Sequence, residues 1–264
     1  MNVFWQELKF YRRSVAIWIV ALGSVATLFM SEYGPVSAQV DSFRQIVSHY
    51  PKALLAAINF RFEIFYSIYG FFGYILTFIW LAGSIQAMNL GVSIVSKEVT
   101  AKTADFLLSK PTSRAHLLSE KFAAAFCLIV ITNVFFTATS LIAAKLLSST
   151  GFSIKLFILL AMSLFFIQLF FLVLGFLFGA VLPKVKSVIA VSLPTVFVFF
   201  VISSFGGFLD KPQLYYLTPF KYFDPVYIFQ HGNYEYKYLL WLAVFVAVWL
   251  IISYTIFTKK DIKQ

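Results

Sequence analysis

Six stretches of this chain contain no Asp, Glu, Lys, Arg or His: residues 14–30, 64–96, 122–144, 156–183, 187–209 and 238–258. About 20 apolar helical residues cross the hydrocarbon core of a bilayer, and a charged side chain inside it costs a few kcal/mol. Charge-free runs of this length therefore predict membrane-spanning helices. The first has 17 residues, near the short limit, while the second and fourth are long enough to tilt or kink. Composition agrees with this reading. Hydrophobic residues make up 61% of the 264 and charged ones only 12%, about half the share of a soluble domain, so polar surface is too scarce to cover the carbon. The expectation is an all-α membrane protein, one domain of six transmembrane helices with both termini on the same side.

The first run has a rival reading, because Arg12 and Arg13 precede it and Val36-Ser37-Ala38 resembles a signal-peptidase site. Against that, the apolar run is longer than most signal-peptide cores, and residues 31–35 separate it from the supposed cut. Orientation follows from Lys and Arg, whose excess stays cytoplasmic. With the termini inside, thirteen of the 21 basic residues fall at 9–13, 97–121, 184–186 and 259–263, and eight are spread over longer outer loops. The net charge of +10 sits in small groups at membrane flanks, so it reads as topology and not as a nucleic-acid footprint.

Ahead of the first run, Phe4, Leu8 and Tyr11 are spaced i, i+4, i+7, with Trp5 alongside and Glu7, Arg12 and Arg13 read as polar. This suits an N-terminal helix lying in the inner interface, or else a cytoplasmic extension of the first span. Residues 96–121 form the one sizeable cytoplasmic loop. Glu98 and Lys102 are spaced for a helical pair, Ala104, Leu107 and Leu108 make a short apolar face, and Pro111 stands where a second helix could begin. Ala115, Leu118 and Phe122 then continue on one face into the third span. The reading is a helix–break–helix elbow fit for docking, with a solvated topogenic loop as the plainer alternative.

The run from Glu98 to Lys121, with TADFLLSKPTSR at 103–114, resembles the signature of type-two ATP-binding-cassette (ABC) export permeases. The shared features are an acidic residue, a Leu-Leu-Ser-x-Pro-x-Ser-Arg element and a closing Lys. A second passage, YLTPFKYFD at 216–224, is similar to the family's segment between spans five and six. At 99–103 the chain reads VTAKT where many relatives carry a Gly-Thr pair. The resemblance implies a permease subunit in a bacterial cytoplasmic membrane. It implies a second copy or a paralogous permease, and two cytosolic ABC ATPase subunits that bind ATP and Mg. It also implies that Glu98, Asp105, Leu107, Leu108, Pro111, Ser113, Arg114 and Lys121 sit in or beside a groove on the ATPase. The chemistry fits: Arg114 can grip a carboxylate or backbone oxygens, Pro111 fixes a bend and Leu107 with Leu108 supplies an anchor.

No GxxxxGK[ST] run occurs, so no ATP-binding loop is expected in this chain, and neither is a cofactor or catalytic residue. Cys127 is the lone cysteine, and His49, His116 and His231 lie too far apart for a local metal motif. Charge-free spans disfavour both an intramembrane hydrolase and a proton-coupled carrier. A sodium-coupled carrier or channel needs only carbonyls and hydroxyls and survives as the alternative, as does a scaffold subunit. Four polar residues enter the spans, Gln86, Asn89, Asn133 and Gln168, and each either lines a substrate path or joins two helices. Gly175 and Gly179 form a GxxxG element read as helix packing, and Gly70 and Gly73 are read as permitting a bend. The outer segment 210–237 is dense in aromatic residues, Tyr216 and Phe220 among them, and reads as an interfacial belt or, in the resembling family, a lid over the path. A Phe- and Tyr-lined route with few charges suits membrane lipids as surroundings and a hydrophobic or amphipathic cargo: a peptide, toxin, drug or lipid-like molecule.

Overall fold

The computed structural model describes residues 3–39, 45–51, 54–55, 60, 62–100, 113–147, 151–209 and 212–259, with backbone alone at 62–63, 98–100, 207–208 and 212. Among these residues the chain is predominantly helical and has no strand. Six helices are long and apolar enough to cross a membrane: α1 (Val3–Ser31), α2 (Ile68–Thr100), α3 (Arg114–Leu147), α4 (Ile154–Val181), α5 (Val188–Phe208) and α6 (Tyr236–Lys259). Each overlaps one of the charge-free runs. Short helices at Tyr33–Ala38, Phe62–Phe65 and Pro225–His231 and two 3-10 turns, Pro212–Leu217 and Pro219–Lys221, fill the connections.

Serines set several of the helix starts. An N-terminal turn leaves backbone N–H groups unpaired, and a hydroxyl at the cap accepts from one of them. Ser113 Oγ accepts from His116 N at 3.2 Å, Ser153 Oγ from Leu156 N at 3.5 Å and Ser187 Oγ from Ala190 N at 3.4 Å. Ser67 Oγ accepts from Gly70 N at 3.1 Å, which begins α2 four residues after its charge-free run. The N-terminal residues are helical and run without a break into the first span, as α1 spans 29 residues, about 44 Å at 1.5 Å per residue.

The centre of the bundle is the pair α2 and α4, the most extensive contact between any two elements. With no hydrophobic drive between helices in lipid, close backbone approach supplies the van der Waals energy, and small residues permit it. A Cβ on Gly91 would fall 2.3 Å from Leu172 O, one on Gly175 2.7 Å from Met88 O, and one on Gly179 2.8 Å from Val95 Cβ. The GxxxG element of α4 thus presses on α2 of its own chain. Helix α1 lies along α3, whereas α5 and α6 bury only 17% and 11% of their most apolar windows and turn the rest outward.

The two ends of the bundle are fastened differently. At one end meet the N-terminal turns of α1 and α3 and the C-terminal turns of α2 and α6: Glu7 pairs with Lys97 and Lys121, and Ser119 Oγ lies 2.8 Å from Tyr254 Oη. At the other, phenols tie connections to helices. Tyr33 Oη donates to Tyr66 O at 3.1 Å and Tyr234 Oη to Leu159 O at 2.6 Å.

Candidate functional site

Residues 101–112 lie outside the described residues, and with them Asp105, Leu107, Leu108 and Pro111; Glu98 falls in the last turn of α2, where the backbone alone is described. The stems on either side are described. Ser113 caps α3, and Arg114 opens it with Nη1 donating to Thr258 O, in the last turn of α6, at 3.5 Å. Helix α3 then runs unbroken through Leu118 and Phe122 into the membrane-length segment.

The stems are joined by a residue that the sequence reading set on the polar face. Glu7 is 2% exposed. On α1 it stands in the buried series Glu7, Tyr11, Val15, Leu22, Ala26 and Met30, one stripe at helical spacing. One carboxylate oxygen accepts from Lys121 Nζ at 2.8 Å and the other pairs with Lys97. Lys121 is 1% exposed and also donates to Ile94 O at 2.7 Å. A buried ion pair offsets its desolvation only when its hydrogen bonds are well made, and here both carboxylate oxygens and the ammonium are engaged. Lys97 leaves α2 three residues before its end, and Lys121 lies seven residues into α3. One carboxylate on α1 therefore holds both stems of the expected coupling loop. The clue in sequence was the i, i+4, i+8 alignment of Glu7 with Tyr11 and Val15, which the charge of Glu7 masked.

Deeper in the bundle the structure brings together three of the four polar residues expected within the spans. Gln168 Nε2 on α4 donates to Gln86 Oε1 on α2 at 2.9 Å, and Gln168 Oε1 accepts from Asn133 Nδ2 on α3 at 2.6 Å. Gln86 Nε2 closes the group on Thr132 Oγ1 at 3.1 Å. All four side chains are buried. Three helices are thereby joined through amide hydrogen bonds, the arrangement favoured where water is absent, with Asn133 Oδ1 left buried and without a partner. Asn89 stands apart, its side-chain oxygen buried without a hydrogen-bond partner. With Gln86 it borders a cavity of about 270 Å³ between α1, α2 and α5, lined also by Tyr11, Trp18, Ser93 and Val188.

The aromatic segment between α5 and α6 goes deeper than a belt at the membrane surface. Thr218 Oγ1 donates to Phe199 O, midway along α5, at 2.9 Å. Phe220 packs against Phe171 and Phe200 with ring centroids 5.5 Å apart in each case, and Phe223 stacks on Phe166 at 5.5 Å. Residues 166 and 171 flank the middle of α4, so the 3-10 turns re-enter the bundle. Non-helical backbone at such depth is tolerated where protein buries it, and Thr218, Pro219, Phe220, Tyr222 and Phe223 are all buried. Tyr216 is nearer the surface; its carbonyl accepts from Tyr222 Oη at 2.7 Å and Trp241 Nε1 at 2.9 Å. A second cavity, about 250 Å³, borders this segment between Trp80, Phe220 and Tyr238 and carries Lys221, Asp224, Glu235 and Lys237 on its wall.

The family model described as ABC-2 family transporter protein matches residues 1–262. No curated protein matches the chain.

Proposed function

Because the chain belongs to the ABC-2 transporter family and is a multi-pass membrane transport subunit, we propose that it is the permease of an exporter, driven by ATP that a separate subunit hydrolyses. Two cytosolic ATPase subunits dock on the loop at 96–121 of this chain and of a second copy or paralogue. Arg114, Pro111 and the Leu107/Leu108 face make the contact, and Glu98, Asp105 and Ser113 line it. ATP and Mg are held by the ATPase. Closure of the ATPases moves the loop, and the paired bundles shift between two arrangements. The cargo is hydrophobic or amphipathic. It travels past the cavity at Gln86 and Asn89 and leaves by the re-entrant segment around Tyr216 and Phe220. Both termini face the cytoplasm, and the membrane is a bacterial cytoplasmic membrane.

The observation that carries this reading is the Glu7 clamp. A loop whose two stems are tied to a helix of the bundle through the buried Glu7 carboxylate can pass a push to that bundle without first absorbing it. A loop that only sets topology has no need of such fastening. The experiment is purification of the chain from its native membranes with its partners, followed by ATP turnover with and without candidate amphipathic peptides. Co-purification of a P-loop subunit and cargo-stimulated turnover are expected, and Arg114→Glu is expected to abolish both. A chain that carries no nucleotide-binding partner, yet moves solute in vesicles, would make it a carrier or channel instead.

A further inference from the structure

Helix α1 carries a second charged surface, on the side away from Glu7. Lys9, Arg12 and Arg13 are all exposed, and none of the three has an acidic partner among the described residues. Trp5 and Phe10 flank them at 65% and 66% exposure. Lys9 and Arg13 share one stripe of the helix with Ile17 and Val20, at i, i+4, i+8 and i+11, and Ile17, Val20 and Leu28 are 68%, 66% and 68% exposed. The apolar part of that stripe lies in the charge-free run, where its neighbour is hydrocarbon. The same stripe therefore passes, within one turn, from acyl-chain surroundings to two or three unpaired cations bracketed by aromatic rings.

We propose that this face of α1 holds an anionic phospholipid, its phosphate against Lys9, Arg12 and Arg13 and its acyl chains along Ile17, Val20 and Leu28. Charge selects the headgroup, since each basic side chain at a membrane surface favours an anionic lipid while a zwitterionic one gains little. Continuity of the stripe selects a lipid over a protein, because a soluble partner would cover the cations and leave the hydrocarbon-facing residues beyond its reach. The opposite face of the same turns holds Lys97 and Lys121 through Glu7, so the lipid steadies the helix to which the loop stems are tied. Only the leaflet depends on the proposed orientation; the binding does not.

The test uses the full chain in neutral detergent, titrated separately with phosphatidylglycerol and phosphatidylcholine, with bound lipid read by native mass spectrometry. Phosphatidylglycerol is expected to be retained about tenfold better or more, with the preference shrinking as salt rises. The Lys9→Gln/Arg12→Gln/Arg13→Gln variant is expected to lose that preference, at about fivefold per cation, and the Lys9→Arg/Arg12→Lys/Arg13→Lys variant to keep it. Equal retention of the two lipids by the native chain overturns the proposal. So does a Gln variant that keeps the preference, including one that keeps it while losing an ATPase partner, which would give the face to that partner. The native comparison needs no variant, so it decides the matter if the Gln variant fails to insert. It also needs no ATPase, so its failure is distinct from failure of the transport reading.

Discussion

Lys121 Nζ donates to Glu7 Oε1 at 2.8 Å across a sequence separation of 114 residues, with both side chains buried. Removing one member leaves the other charged and dry, which costs about 3–5 kcal/mol, while replacing both by apolar residues of similar volume is often neutral. Glu7→Ala is therefore expected to lower the thermal midpoint of the detergent-solubilised chain sharply, as is Lys121→Met. The double variant Glu7→Leu/Lys121→Met is expected to recover most of that loss, because Lys97, at 27% side-chain exposure, can turn to water. Equal losses from the single and double variants would show that the pair is not coupled.

Close approach of α2 and α4 gives a sharp contrast between two glycines. A Cβ at Gly91 meets backbone oxygen at 2.3 Å, which no rotamer change relieves, whereas one at Gly34 meets nothing within 4 Å. Gly91→Ala is expected to reduce the folded yield severely, with a cost of about 1–3 kcal/mol or more from overpacking. Gly34→Ala, within the short helix Tyr33–Ala38, is expected to be neutral or mildly stabilising. Size-exclusion profiles of the two variants, expressed side by side, check the contrast.

The amide group on α2, α3 and α4 separates gluing from transport. Gln168→Leu keeps the volume but strands Gln86 Oε1 and takes from Asn133 Nδ2 one of its two acceptors, at a cost of about 1–2 kcal/mol. The expected result is a lower melting midpoint with cargo preference unchanged. Asn89→Leu, at the cavity wall, is expected to do the reverse, since the Asn89 oxygen has no hydrogen-bond partner to lose. Melting curves paired with cargo-stimulated turnover would distinguish the two, and a cargo shift in Gln168→Leu would place that residue on the path.

Much of the bundle was legible because a bilayer imposes one rule at every span: no unpaired charge and about 20 apolar residues. The run of α3 back to Arg114 was legible too, since Ala115, Leu118 and Phe122 share one face leading into the third span, and a serine cap fixes where that helix starts. What stayed hidden was tertiary. Glu7 finds its partners 90 and 114 residues away, and its alignment with Tyr11 and Val15 marks a buried face without naming either partner. Gln86, Asn133 and Gln168 were visible as polar residues within spans, but whether three amides face a channel or one another depends on helix rotation. The segment around Phe220 has the composition of an interfacial belt. Its depth is set by Phe166 and Phe171 on α4, and composition carries no depth.

Tyr234 provides a test by pH at the phenol-fastened end. Burial pushes its phenol well above the ordinary tyrosine range, and its Oη donates to Leu159 O at 2.6 Å. In the unfolded chain a tyrosine loses its proton near pH 10, as for a free side chain. Between that pH and the higher native value the folded state holds a proton that the unfolded state has released, so stability falls as pH rises. Below pH 10 the contribution is fully present. The chain is thus expected to melt at progressively lower temperature above about pH 10. Tyr234→Phe is expected to cost about 1 kcal/mol at neutral pH, through the lost hydrogen bond, and to flatten part of the alkaline decline. Parallel melting curves from pH 7 to 11 would show this as two lines that converge; lines that stay parallel would remove Tyr234 from the alkaline transition.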